Sequence, residues 1–230
     1  MRSGQRCPIG EFKKAVTAVG FDRKGELLAL GSSDGKVRIV KAQDGSLVSS
    51  FSTGGSPSAL SFSSDSALAA SGSSKGEVAI WETKSGQLIR KLDGHKGKAL
   101  LVAFEPGSDT LLSIGADKTM REWNFNTGQN TRNMNWPKVT EVSSAACSED
   151  CSIIAIGAVE IKYLGSYSGI REFKYFAILN RQGEEVSRIG VGNENHVDAV
   201  AMSCDGSLIA SGALRDCVRI YDTTTGGQLA

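Results

Sequence analysis

Five cysteines and two histidines hold most of the reactive potential in this 230-residue chain. Cys147, Cys151, Cys204 and Cys217 lie in its last hundred residues, and Cys7 lies near the start. A structural zinc site would need thiolates and imidazoles at paired short spacings. The cysteines form no CxxC pair, and neither His95 nor His196 is grouped with them, so no metal and no cofactor is expected. Cys147 and Cys217 read as small strand residues and Cys151 as a turn residue standing in for glycine. An odd cysteine count in a chain long enough to bury a core argues against a disulfide framework, so reduced thiols are expected.

Other chemistry is equally sparse. The glycine-rich phrase from Phe51 to Pro57 lacks the Gly-Lys-Ser/Thr of a phosphate loop, and no helix pattern follows it. The segments that would line a channel read AVTAVGF, PSALSF, ALLVAF, TEVSSAA and DAVAMS, and they offer only Glu141 and Asp198 as acids. No nucleophile, base and orienting group come together, so the chain is not expected to be an enzyme. The basic run Arg90, Lys91, His95, Lys96 and Lys98 could meet an acidic partner, but charges on an exposed strand edge also block unwanted pairing, and that reading is preferred. With 26 basic against 25 acidic residues there is no footprint of a nucleic-acid binder. No signal-peptide core or spanning apolar stretch occurs, so a soluble intracellular protein of cytoplasm or nucleus, without membrane contact, is expected.

The elements that must position these residues repeat along the chain. LLALGSSDGKVRIV begins at Leu27, ALAASGSSKGEVAIW at Ala67, TLLSIGADKTMREW at Thr110 and SLIASGALRDCVRIY at Ser207. Registering five copies on Leu30, Ser71, Ser113, Ile156 and Ser211 gives steps of 41, 42, 43 and 55 residues. Within each copy apolar residues alternate or form short β-branched blocks, bounded by Gly, Asp and Ser, which is a strand-and-turn pattern without a helical face. In the first copy strands are expected near Val16–Phe21, Leu27–Gly31, Val37–Val40 and Leu47–Phe51. Four-stranded meanders of this length cannot bury their faces alone and stack radially as a β-propeller, an all-β fold.

The third copy is the most complete: Gly94-His95 precedes its first strand, Ser113 lies in the second, Asp117 in the next turn and Trp123 at the end of the third. With these residues the chain resembles the WD40-repeat family. The resemblance implies that His95, Ser113, Asp117 and Trp123 form a structural polar network, hydrogen-bonded in series. The other copies depart from the pattern. The first has Asp34 but Val40 in place of Trp, the second has Ser71 and Trp81 but Lys75 in place of Asp, and the fifth has His196, Ser211 and Tyr221 with Arg215 where Asp belongs. Trp136 is expected to wedge between blades.

The fourth copy carries about a dozen extra residues between its second and third strands, which explains the long step. Both strands are expected to lengthen, with Gly165–Gly169 as the turn of a projecting hairpin. The resemblance places that connection on a face commonly used for partners, and Tyr163, Tyr167, Arg171, Phe173 and Lys174 are of types enriched at interfaces.

A single repeat domain over 1–230 is expected, with blades near 14–53, 56–94, 98–136, 138–190 and 197–230. Residues 7–12 could add a closing outer strand to give a five-blade ring. Alternatively the chain is an incomplete arc of a larger propeller, the reading favoured by a fifth copy that stops at Gln228-Leu-Ala. The expected function is a non-enzymatic protein–protein interaction scaffold, binding other proteins on its loop faces and open to assembly into a multiprotein complex. The alternatives are the sensor portion of a larger regulator or a central-channel small-molecule or enzymatic propeller.

Overall fold

The computed structural model describes residues 12–136, 138–163, 170–190, 197–212 and 218–229, with 162–163 and 170–171 described by backbone alone. Each repeat folds as an antiparallel meander. The first contains β1 (Val16–Phe21), β2 (Leu27–Ser32), β3 (Lys36–Lys41) and β4 (Leu47–Ser52). The second contains β5 (Pro57–Phe62), β6 (Leu68–Ser73), β7 (Val78–Glu82) and β8 (Leu88–Leu92), and the third β9 (Ala99–Phe104), β10 (Thr110–Gly115), β11 (Thr119–Asn124) and β12 (Asn130–Asn135). The fourth contains β13 (Glu141–Cys147), β14 (Ile153–Tyr163), β15 (Ile170–Asn180) and β16 (Glu185–Gly190). In the fifth, β17 (Ala199–Met202), β18 (Leu208–Gly212) and β19 (Arg219–Asp222) form a three-stranded sheet among the described residues, and an isolated bridge pairs Tyr221 with Gln228. Among the described residues every regular element is a strand, and the inner strands β1, β5, β9, β13 and β17 pack side by side in that order as a five-blade β-propeller.

Period-two geometry explains why the middle strands are apolar without interruption. Successive side chains face opposite sides of the sheet, and both sides of an inner blade are covered. On β15, Tyr175, Ala177 and Leu179 enter the core shared with the third blade, while Phe176 and Ile178 enter the core shared with the fifth. Comparable cores join the first blade to the second through Ile39, Phe51 and Trp81, and the second to the third through Ile80, Leu92 and Phe104. Burying each large side chain contributes roughly 1.5–3 kcal/mol, so these four seams carry most of the favourable free energy. On the far face of the first blade Leu28, Leu30 and Val40 pack against Phe12, whose ring lies 4.6 Å beneath the Arg38 guanidinium.

Hydroxyl groups on the inner strands tie the blades together. Thr17 donates to the Pro57 carbonyl, Ser58 to that of Ala99 and Ser143 to that of Val197, each at 2.6 Å. The third blade has Leu100 at this register and relies on packing against the neighbouring core.

Candidate functional site

Chain direction and strand register bring the third blade's polar residues together. Ser113 sits in mid-β10, its neighbours Leu112 and Ile114 anchored in the core, and Trp123 closes β11 beside Leu111. Trp123 Nε1 lies 2.9 Å from Ser113 Oγ, Ser113 Oγ 2.8 Å from His95 Nε2, and His95 Nδ1 3.0 Å from Asp117 Oδ1. The proton order follows from the donors. An indole N–H can only donate, so the serine hydroxyl accepts from it and donates onward to Nε2; Nδ1 keeps its hydrogen and donates to the carboxylate. Burial lowers the His95 pKa despite the pull of Asp117, which keeps the ring neutral as this order requires. Asp117 is completed by the Lys96 amide at 2.9 Å and by the Thr119 hydroxyl at 2.8 Å; against the effect of burial, these bonds hold its carboxyl below the usual range.

Such a chain costs little only because every member is satisfied. Gly115 is part of the fit, since a Cβ there would run into both Asp117 Oδ1 and His95 Nδ1. In the second blade only the first link exists, Trp81 Nε1 to Ser71 Oγ at 2.9 Å. In the fifth, Ser211 and Tyr221 are described, whereas His196, Arg215 and Cys217 lie outside the described residues. The network's buried groups are engaged with one another and present no open face to a substrate.

The fourth blade is where the chain departs from its own period. β14 and β15 are 11 residues each and pair without interruption from Ile153↔Asn180 to Tyr163↔Ile170. Among the described residues, the β13 ladder ends at Val159 and the β16 ladder at Tyr175. Past those positions residues 160–163 and 170–174 continue the β14–β15 pairing as a ribbon, and the Ile161 amide donates to Thr140 Oγ1 at 3.2 Å near its root. On it Ile161 and Phe173 are each 36% exposed, and the register puts them on opposite faces. The Lys174 side chain is largely covered and sits 4.0 Å from Glu172. Tyr163 and Arg171 are placed by backbone in the two strands; Tyr167 and the Gly165–Gly169 segment lie outside the described residues.

Several polar anchors were not evident in the sequence. Arg181, in the β15–β16 turn, binds Glu105 with two hydrogen bonds of 3.1 and 3.0 Å and also contacts Glu122, clamping the fourth blade to the third. Burial alone would raise the Glu105 carboxyl, but Arg181 holds it below its ordinary value. Arg188 on β16 lies 3.8 Å over the Tyr175 ring and bonds Glu185 and, at 2.7 Å, Glu160 at the root of the ribbon. Trp136 is half-buried against the seam of the third and fourth blades and donates to the Gly183 carbonyl at 3.3 Å. From the basic run, Arg90 donates to the Asn126 carbonyl at 2.7 Å and Lys91 pairs with Glu77 at 3.0 Å.

A cavity of about 620 Å³ opens at the end of the channel where the inner strands turn. Its wall is mainly apolar, from Phe21, Leu60, Leu101 and Met202, with Cys147 and Cys204 also on it. Arg23 and Glu149 join at 2.6 Å at its rim, and Asp22 is occupied by the Glu26 and Leu27 amides and the Ser66 hydroxyl. Glu141 and Asp198 are both exposed and are not among the residues that line it. Among the described residues no group of three or more His, Cys, Asp or Glu side chains is placed to hold a metal ion.

Comparison with known proteins agrees with this architecture. Residues 6–65 match the family described as the anaphase-promoting complex subunit 4 WD40 domain, and residues 86–124 and 186–222 match the WD domain, G-beta repeat. Among curated proteins, the chain is similar to eukaryotic translation initiation factor 3 subunit I of Aspergillus terreus, 29% identical over 138 residues, and of Emericella nidulans, 28% identical over 137. These matches take in 60% and 59% of this chain but only 40% of either relative. Repeats, blade topology and family matches agree, and the chain belongs to the WD40-repeat family.

Proposed function

We propose that this chain is a non-enzymatic, intracellular protein-interaction scaffold, a component of a multi-subunit assembly, and that the ribbon of the fourth blade is its docking element. The observation that carries this reading is the pairing pattern. Among the described residues, 160–163 and 170–173 carry the β14–β15 pairing past the last β13 and β16 ladder partners and hold an exposed aliphatic and an exposed aromatic side chain. A two-stranded ribbon alone is marginally stable in water, and contact with a partner would stabilise it. Tyr163, Tyr167, Arg171 and Phe173 supply the contact chemistry, while Lys174 acts near the root beside Glu172. The scaffold reading also draws support from the similarity to proteins named as subunits of a translation initiation factor. The acids at the channel cavity are already paired, which supports a binding role over catalysis there.

The test replaces Ile161–Phe173 with a four-residue turn and uses wild type and variant as baits for proximity labelling in cells. Wild type is expected to label the subunits of one assembly, and the variant to lose them while keeping its β-sheet circular dichroism and melting temperature. Equal labelling by both folded baits would remove the ribbon as docking element; no specific labelling by either would remove the scaffold itself.

A further inference from the structure

The geometry points to a redox-sensitive dithiol at Cys147 and Cys151, a site that closes to an intramolecular disulfide when a peroxide reaches it. Three independent features converge there. First, Cys147 ends β13 and Cys151 sits in the turn that follows, and their sulfurs are 4.0 Å apart, in hydrogen-bond contact. Second, Cys151 is held at φ 57°, in the left-handed region. The matching turns of the first and fifth blades place Gly25 and Gly206 there, and that of the second places Ser66 at φ 60°. A β-carbon in this conformation costs on the order of 1 kcal/mol, and strained positions of this kind cluster at functional sites. Third, Cys147 is half-buried and lines the 620 Å³ channel cavity, so a small oxidant entering the cavity comes to lie beside the pair, next to the buried Cys151.

The surroundings favour ionisation of one thiol. The hydrogen bond from Cys147 lowers the Cys151 pKa against the effect of burial, with Arg181 adding to the pull and Glu105 and Asp150 opposing it. The same hydrogen bond, then burial, pushes Cys147 well up. The hydrogen bond between the sulfurs thus favours ionisation at Cys151 over Cys147, toward the thiolate form that reacts with peroxides.

The chemistry balances with a hydroperoxide as the oxidant. The thiolate sulfur attacks one peroxide oxygen, the O–O bond breaks and hydroxide leaves, giving a sulfenic acid. The second sulfur then attacks the first as its proton passes to the departing oxygen, water leaves and the S–S bond forms. Overall two thiols lose two electrons and two protons, and the peroxide is reduced to the level of water. Disulfide closure needs the sulfurs to approach by about 2 Å, from 4.0 Å to roughly 2.05 Å.

The pair can be read by mass alone. Trypsin releases both cysteines in one peptide, residues 139–162, and Cys204 in another. The intact, reduced protein is treated with rising hydrogen peroxide, alkylated and digested without reductant. The expected result is a 139–162 peptide lighter by two hydrogens and carrying no alkyl group, at doses that leave Cys204 alkylated; dithiothreitol before alkylation should restore two alkyl groups. Cys151→Ser keeps the turn, since Ser66 fills the matching position, and should leave Cys147 without the internal disulfide. Two alkyl groups on 139–162 at doses that oxidise Cys204 would overturn the proposal. So would a disulfide from Cys147 to Cys204, or oxidation that stops at one sulfur.

Discussion

Replacing Ser113 with alanine should cost about twice as much as the same replacement at Ser71, although both serines are buried mid-strand and both accept from a tryptophan. Ser113 is fully buried and its oxygen serves two partners, Trp123 Nε1 at 2.9 Å and His95 Nε2 at 2.8 Å; the His95 side chain is itself fully buried. Ser71 serves only Trp81 Nε1. Removing a hydroxyl leaves each former partner desolvated, at about 1–3 kcal/mol per group, so Ser113→Ala should lose about 2–6 kcal/mol and Ser71→Ala about 1–3. In a chain of this length each kcal/mol moves the melting temperature by roughly 2–4 °C. Paired urea titrations and calorimetry of the two variants supply the comparison. A double-mutant cycle of Ser113→Ala and Trp123→Phe should return a coupling of at least about 0.5 kcal/mol, as expected for groups in one hydrogen-bonded network. Equal losses for the two serines, or a Ser113→Ala loss below about 1 kcal/mol, would refute the serial network, because no buried group could then be left unpaired.

Acid should weaken the same blade. With the native His95 pKa below its usual 6.5, the unfolded chain binds a proton that the native chain does not, so stability is full above that value and falls as pH drops toward the native one. The slope contributed is at most about 1.4 kcal/mol per pH unit. Asp117, held below 3.8 in the native state, adds a second loss beneath that pH. Urea midpoints of wild type and His95→Gln from about pH 7.5 to 5 should converge on acidification, and a constant gap would contradict the assignment. Arg181→Met removes the cation shared by the Glu105 and Glu122 carboxylates in a partly buried seam, leaving Glu122 only Arg132 at 3.8 Å, and should cost about 1–3 kcal/mol, partly restored by adding Glu122→Gln. An unchanged unfolding midpoint for Arg181→Met would show that packing alone holds that seam.

Much of the fold could be read from local pattern. Strands expected at Val16–Phe21 and Leu27–Gly31 are found at Val16–Phe21 and Leu27–Ser32, because alternation and turn residues act within a few positions of each other. The lengthening of β14 and β15 was legible for the same reason. The site was less so. Thr119 completes the Asp117 shell from two residues away, yet nothing distinguishes it in sequence from any threonine opening a strand. By residue type Lys174 reads with the ribbon's contact residues, and its side chain is largely covered where the ribbon meets the sheet.

The sequence by itself determined the number of repeats, their strand order and the blade that is extended, which follow from covalent geometry and period-two alternation, while the WD40 resemblance singled out the blade whose polar residues are complete. Only tertiary structure decided which groups meet across blades. Arg181 reaches Glu105 across 76 residues, and the hydroxyls of Thr17, Ser58 and Ser143 find carbonyls on the next blade. Those contacts depend on how each blade is rotated against its neighbour, which the packing of the shared cores sets and no single repeat encodes.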